Sequence, residues 1–355
     1  MGGADVTRPY RRRAIIAHRF PSRDRPPMSL TLGVVMDPIE SLVPYKDTTL
    51  SMLLAAAARG WRLRVTGLAD LYLEDGRAHA RTREVRVFDD DARWFEADEP
   101  RDAPLAEHDI VLMRKDPPFD MDYVYATYLL ERAAEEGVLV SNRPSSLRDV
   151  NEKLGALRFP ELCPPTLVTA SPARLKAFVA EHGDVIVKPL DGMGGTGIFR
   201  VRPDDPNLNI ILEQSTRAGR LLIMAQRYLP AIRDGDKRVL VVAGEAVDHA
   251  LARIPAAGET RGNLAAGGRG VPVPLGEAER RIVERVTPTL IELGLDFVGL
   301  DVIGEHLTEV NVTSPTCARE LDAHAAERAG LPTRGGVPGI ASRYLDALEA
   351  RLAAR

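Results

Sequence analysis

The tract Lys188-Pro-Leu-Asp-Gly-Met-Gly-Gly-Thr-Gly197 constrains this chain more than any other. It follows Val185-Ile186-Val187, a β-branched run that reads as a buried strand. It runs into a second strand expected over Thr196 to Val201. A lysine at the strand end supplies a point charge for phosphate. The glycines that follow let backbone N–H groups come close to phosphate oxygens. The lysine precedes the glycines, so the tract is neither a P-loop nor a clean dinucleotide fingerprint. Alone, it reads equally well as a tight hairpin.

The segments on either side have different architectures. Strands are expected at Leu32 to Met36, Asp109 to Met113 and Val138 to Ser141, with helices at Thr48 to Arg59 and Tyr123 to Glu136. Each helix is stopped by a glycine, Gly60 and Gly137. This alternation implies a parallel sheet with right-handed crossovers, an α/β domain over residues 28–150. After it, Ser171-Pro172 opens a helix that closes at Gly183. Leu221 to Gln226 reads as a strand, Arg238 to Val242 pairs with Ala246 to Arg253 as a hairpin, and Glu277 to Leu293 is an amphipathic helix. This half is α+β, with antiparallel pairs beside helices.

Composition narrows the function. Lys+Arg number 47 against 51 Asp+Glu, and the first 27 residues hold seven of the arginines with two aspartates. The acidic body that remains excludes a general nucleic-acid binder, which needs a basic face. No apolar run approaches the ~20 residues that span a bilayer, so no membrane partner is expected. Two cysteines, Cys163 and Cys317, make no disulfide framework, and the expected location is cytoplasmic. Residues 1–27 lack the apolar core of a secretory signal. They are expected to be a disordered extension, or to lie ahead of a true start at Met28.

A second hairpin carries the chemistry. If Gly304-Glu305-His306 is a three-residue turn, Asp301 lies opposite Glu309, and the period of two puts Asn311 on the same face. Opposed carboxylates repel and a cation relieves them. An all-oxygen set without His or Cys suits Mg²⁺ or Mn²⁺ and not Zn²⁺. Val298, Leu300, Val310 and Val312 turn the other face to a core. Lysine, glycine loop and hard-cation ligands together are the parts that hold a nucleoside triphosphate. Lys153, in a helix expected from near Ser146, reads alone as a solvated side chain. Asp37 and Arg114 to Phe119 follow strand ends, where open α/β sheets bind ligands. The long irregular segment Ile254 to Gly270, rich in glycine and bearing Arg261, Asn263 and Arg269, reads as a gated lid.

Six long blocks resemble the ATP-grasp ligases, and among them the bacterial glutathione synthetases. They are Val35 to Ile39, Met113 to Phe119, Lys188 to Gly195, Tyr228 to Arg238, Ala252 to Pro255 with Gly258 to Arg269, and Thr308 to Thr316. The resemblance implies an ATP-grasp fold: the N-terminal parallel α/β domain, then subdomains over 151–225 and 226–355 whose antiparallel sheets enclose the nucleotide. It implies that ATP, γ-glutamylcysteine and glycine become glutathione, ADP and phosphate. It also implies that Lys153, Lys188, Gly192, Met193, Gly194 and Gly195 hold phosphates, with Arg238 at the nucleotide. The backbone of Gln226, Arg227, Tyr228 and Leu229 would read adenine, with Asp236 near the ribose. Asp301, Glu309 and Asn311 would hold two Mg²⁺, with Mn²⁺ able to substitute. Arg253 and Arg261 would stabilise the tetrahedral intermediate. Asp37, Arg114, Lys115, Asn263, Ser314, Pro315 and Thr316 would contact the peptide or glycine. A homotetramer is implied as well.

Two other readings are weighed against this one. Another ATP-grasp carboxylate–amine ligase would share the lysines and metal set and differ at Asp37, Arg114 to Phe119 and the lid. A non-catalytic nucleotide-binding protein would have lost one of Lys153, Lys188, Asp301, Glu309 or Asn311, and all five are present.

Overall fold

The computed structural model describes residues 29–355 except 193, 257, 259–261, 263–266 and 337. The first sheet is built on β1 (Thr31–Val35), a fully buried strand. After β1 the chain makes α1 (Thr48–Ala58), capped by Asp47, whose carboxylate accepts from the Leu50 amide. It returns as β2 (Arg62–Thr66), then enters β3 (Leu71–Glu74), β4 (Arg77–Val87), β5 (Phe95–Ala97) and β6 (Arg101–Pro104). β7 (Ile110–Met113), α2 (Met121–Glu135) and β8 (Leu139–Ser141) complete the unit.

β2, β1, β7 and β8 pair in parallel, as the βα alternation demands. β4 then adds antiparallel to β2, with β3, β5 and β6 antiparallel on β4. The sheet is therefore mixed, a correction to the expected parallel domain. The missed signal lies in Arg77 to Val87, where buried and exposed residues largely alternate. Its outward positions are arginines and charged groups, which mask the period of two.

α3 (Pro144–Asp149) and α4 (Glu152–Ala156) replace the single helix expected from Ser146. Val150 is extended, and the Asn151 side chain accepts from the Lys153 and Leu154 amides to start a new helix. The second sheet holds β9 (Thr166–Thr169), β10 (Val185–Pro189), β11 (Phe199–Val201) and β12 (Ile223–Arg227), in the order β11-β10-β12-β9. It packs on α5 (Pro172–His182) and α6 (Leu208–Ser215) around Leu175, Val179, Val187 and Leu212.

The third sheet contains β13 (Asp236–Val242), β14 (Glu245–Ala246), β15 (His249–Ile254), β16 (Arg269–Pro274), β17 (Phe297–Ile303) and β18 (His306–Asn311). All its pairs are antiparallel. Ile254 pairs with Arg269 and Arg253 with Gly270, so the connection between these strands is 255–268, shorter at both ends than the sequence suggests. α7 (Glu277–Glu292) buries Ile282, Val286 and Leu290 against this sheet's core.

α8 (Ala318–Arg328) and α9 (Gly339–Ala353) return the chain to the first sheet. Tyr344 of α9 donates to Ser141 Oγ (2.8 Å), and Ile340, Leu345 and Leu348 share a core with Leu32, Leu50 and Leu53. Asn142 ties the first and third sheets through four bonds, from its amide to the Phe297 and Val312 carbonyls and to its oxygen from the Asp296 and Phe297 amides.

Asp322 of α8 caps α9 by accepting from the Ile340 amide (3.0 Å), and its other oxygen is buried without a partner among the described residues. Burial pushes this carboxyl up to about 6, against the backbone bonds it accepts. A raised acid favours the fold while protonated. Its contribution is therefore present below the unfolded value of 3.8 and lost as pH rises to about 6. The loss is about 3 kcal/mol for a shift of this size. Asp322→Asn keeps the cap without the charge. Urea unfolding should show it more stable than wild type at pH 8 and less sensitive to pH between 4 and 6.

Candidate active site

The three sheets meet at one cavity of about 670 Å³. Its nucleotide-like end collects residues far apart in the chain. Lys188 ends β10 beside the glycine tract, and Lys153 opens α4. Both converge on Glu309 of β18, with Nζ to Oε1 distances of 3.4 and 3.8 Å. Lys153 Nζ also donates to the Gly192 carbonyl (2.9 Å), and Asn151 Nδ2 to the Leu190 carbonyl (2.9 Å), so α4 grips the loop. Lys153 is 4% exposed, not the solvated helix lysine its neighbours suggest. α4 comes this close because Gly155 faces Val310 of β18. A Cβ there would stand 2.8 Å from Val150 Cγ1 and 3.7 Å from Val310 Cβ.

The β17–β18 hairpin keeps its expected pairing by a different route. The turn is two residues, with Ile303 opposite His306 and Val302 opposite Leu307. A bulge at Thr308 restores the register, so Asp301 faces Glu309 and Gly299 faces Asn311. Thr308 Oγ1 closes the bulge on the Asp301 carbonyl (3.0 Å). Asp301, Thr308, Glu309 and Asn311 all line the cavity, and the valines of the other face are buried.

Asp301 is held between two guanidiniums. Arg238 of β13 binds it in a fork (Nε to Oδ1 2.5 Å, Nη2 to Oδ2 3.0 Å), and Arg253 Nη2 of β15 lies 2.8 Å from Oδ2. Burial opposes its ionisation, but the two arginines overcome this and hold the carboxyl well below the usual carboxylate range. Arg253 also reaches Asp236 Oδ2 (2.5 Å), its register partner on β13. Asp236 lines the cavity: one oxygen serves Arg253, Oδ1 has no partner among the described residues, and burial pushes the carboxyl up to about 7. Gly262 closes over this pair. A Cβ there would meet the Arg253 carbonyl at 2.5 Å and Asp236 Cβ at 3.0 Å. Gly262→Ala should displace the pair and lower kcat roughly 10- to 100-fold, the usual effect of a misplaced catalytic group. Steady-state kinetics with kcat unchanged would show that the contact constrains nothing.

The donor set fits a hard cation. A carboxylate offers about four lone-pair sites. The arginines take three on Asp301 and leave one. Asn311 Nδ2 donates to the Gly299 carbonyl (3.2 Å), leaving its oxygen for a cation. Among the described residues no group of three or more His, Cys, Asp or Glu forms a cage. Mg²⁺ rarely uses one, since it binds through one or two carboxylates together with substrate phosphates.

Gln226, Arg227, Tyr228 and Leu229 line the same cavity with Ile186 and Ile303. The Arg227 and Tyr228 amides donate to the Pro165 and Asp184 carbonyls. The far end holds Asp37, at the carboxyl end of β1, and Ser314, Pro315 and Thr316. Lys115 pairs with Asp37 (2.9 Å) at its rim, and Ser314 Oγ bonds the Asp116 carboxylate. Arg114 does not line the cavity. It is buried behind the wall, donating to the Pro315 carbonyl (2.9 Å) and Thr49 Oγ1 (3.2 Å), so its expected substrate contact becomes a bracing role. Gly192, Gly194 and Gly195 line the cavity. Met193, Arg261 and Asn263 lie outside the described residues. Glu152 was not legible as a site residue. It lines the cavity next to Lys153, accepts from Thr313 Oγ1 (2.9 Å), and has its pKa raised by burial and by Glu309.

Known proteins match this arrangement at two levels. Family profiles described as the N-terminal domain and the ATP-grasp domain of prokaryotic glutathione synthetase match residues 30–148 and 152–326. The glutathione synthetase of Pseudomonas putida is 58% identical over 92% of this chain and 100% of its own. That of Escherichia coli O127:H6 is 55% identical over 91% and 99%. Solved structures share the fold at low identity. D-cycloserine synthetase DcsG has a TM-score of 0.61 at 16% identity, covering 91% of this chain and 99% of its own. A RimK domain ATP-grasp protein from Sphaerobacter thermophilus has 0.55 at 17%, covering 90% and 99%. With both halves of the chain matched in order, and Lys153, Lys188, the glycine tract, Asp301, Glu309 and Asn311 gathered in one cavity, the chain belongs to the prokaryotic glutathione synthetase family of ATP-grasp ligases.

Proposed function

We propose how this cavity carries out the reaction of its family. The chain is an ATP-dependent ligase of glutathione synthesis, joining γ-glutamylcysteine to glycine. A carboxylate does not condense with an amine at neutral pH. Transfer of the γ-phosphoryl group to the cysteinyl carboxylate gives an acyl phosphate and ADP. The glycine amine then attacks the acyl carbon, and phosphate leaves. Such transfer depends on positioning and charge neutralisation.

Lys153 and Lys188 hold phosphate oxygens under the glycine tract. Asp301, Glu309 and Asn311 would hold Mg²⁺, two ions with the nucleotide and Mn²⁺ as a substitute. A bound cation there supplies charge neutralisation at the phosphates. Arg253, held by Asp236 and Asp301, offers a preorganised donor to the oxyanion of the tetrahedral intermediate. Asp37 and Ser314 to Thr316 contact the peptide or glycine. Residues 255–268, most of which lie outside the described residues, would have the role of keeping water from the acyl phosphate. The observation that carries this reading is the convergence of Lys153 and Lys188 on Glu309.

A homo-oligomer, a tetramer by resemblance to the family, and a cytoplasmic location complete the proposal. Two free cysteines support that location, and among the described residues no helix is long and apolar enough to cross a membrane. A coupled assay of ADP release tests the chemistry. Full release should require ATP, Mg²⁺, γ-glutamylcysteine and glycine together. Equal release with another acid–amine pair would favour a different ligase.

A further inference from the structure

Side chains opposed across two paired strands share a face. In the second sheet Ile186 of β10 stands opposite Arg200 of β11 and Gln226 of β12. Ile186, Lys188 and Gln226 line the cavity, so Arg200 lies on the cavity face of this sheet. The Tyr228 amide donates to the Asp184 carbonyl (2.8 Å), which extends the β10–β12 pairing by one residue. Arg200 completes a bracket with these two residues. The Asp184 carboxylate takes its guanidinium in a fork, Nε to Oδ1 at 2.8 Å and Nη2 to Oδ2 at 2.6 Å. The guanidinium carbon also lies 3.7 Å from the centroid of the Tyr228 ring. The Arg200 and Asp184 side chains are 26% and 29% exposed, so the ion pair alone would be weak. A planar guanidinium can accept the fork and stack on the ring at once, which fixes the tyrosine from two sides.

Tyr228 lines the cavity and Arg200 does not, so the arginine acts through the tyrosine. Lys188 and Asp184 are four residues apart on extended chain, about 13 Å. Phosphates held at Lys188 therefore lay the base of the same nucleotide over Ile186 and Ile198, toward Tyr228. Both isoleucines line the cavity and offer an apolar surface to a planar base. We propose that Arg200 is a positioning residue for the nucleotide base. Held by Asp184, it fixes the ring and backbone of Tyr228 as the end wall of the base pocket. This rests on the nucleotide reading given above. A wall already held in place loses little freedom on binding, so its effect falls on nucleotide affinity and not on the chemical step.

Calorimetric titration with ADP and steady-state kinetics on the full chain test this. Arg200→Ala should weaken ADP binding and raise the KM for ATP, each about tenfold. Its kcat should stay within about twofold of wild type, and its KM for γ-glutamylcysteine should not move. Arg200→Lys keeps the charge without the fork and should recover part of the affinity. It carries the test if circular dichroism shows the alanine variant not to be native. Tyr228→Ala should match Arg200→Ala, and the double variant should bind ADP no more weakly than either single, because all three remove one device. Arg202, 56% exposed, also reaches Asp184 Oδ2 (3.1 Å). Arg202→Ala removes that contact and leaves the bracket, so its ADP affinity should equal that of wild type. Unchanged ADP affinity in Arg200→Ala, an equal loss in Arg202→Ala, an equal rise in both KM values, or additive losses in the double variant would overturn the proposal. A wild type that binds no ADP would overturn the nucleotide reading, and this proposal with it.

Discussion

Arg253→Ala is expected to lower kcat by roughly two to three orders of magnitude, the usual cost of losing one preorganised donor at a developing oxyanion. The affinity for Mg·ATP should change far less, because Lys153 and Lys188 at the phosphates are untouched. The structure shows why this arginine is preorganised. Its guanidinium is 4% exposed and fixed by Asp236 at 2.5 Å and Asp301 at 2.8 Å. Two carboxylates hold it in one orientation, so no reorganisation is needed during the reaction. Arg253→Lys separates charge from shape. A lysine can keep the Asp236 contact but lacks the planar fork, so it should recover only part of the rate. A kcat for Arg253→Ala within a few fold of wild type would remove this residue from the mechanism.

Asp301→Asn should be the most destabilising substitution in the cavity. Asp301 is 2% exposed and faces Arg238 and Arg253, also nearly buried. Removing one partner of a buried pair leaves an uncompensated charge and costs about 3–5 kcal/mol. The cost falls at the junction of β13, β15 and β17, so urea unfolding of the whole chain should report it. Glu309→Gln provides the contrast. Its carboxylate is 20% exposed and 3.4 and 3.8 Å from its lysines, too loose for a strong pair. Glu309→Gln should cost less stability than Asp301→Asn, because its carboxylate is partly solvated and its contacts are long, while severely damaging the reaction. Equal stability of the two variants would show that the arginine clamp on Asp301 is not structurally significant.

Much of this site was legible in local pattern. The strand, lysine and glycine tract is visible as a stretch of sequence. Asp301, Glu309 and Asn311 follow from alternation along two paired strands. That pairing survived an error in the turn, because the bulge at Thr308 compensates a loop one residue shorter than expected. What stayed hidden depends on contacts between distant segments. Glu152 and the burial of Lys153 arise from α4 packing on β18, and nothing in residues 144–156 announces that packing. Arg114 follows a strand end and looks like a ligand-facing residue. Only the fold shows it buried and bracing Pro315. The antiparallel extension of the first sheet was missed because arginines occupy the outward positions of β4. The fork on Asp301 needed the register of three strands, which no single segment contains.

Calorimetric titration with ADP, with and without Mg²⁺, tests the central claim most directly. If Lys153, Lys188 and the Asp301–Glu309–Asn311 set grip one nucleotide, wild-type protein should bind ADP at least about tenfold more tightly with Mg²⁺, some 1.4 kcal/mol. Glu309→Gln should lose that increment, and Lys188→Ala should weaken binding under both conditions. Equal affinity with and without the ion, unaltered in both variants, would contradict the account.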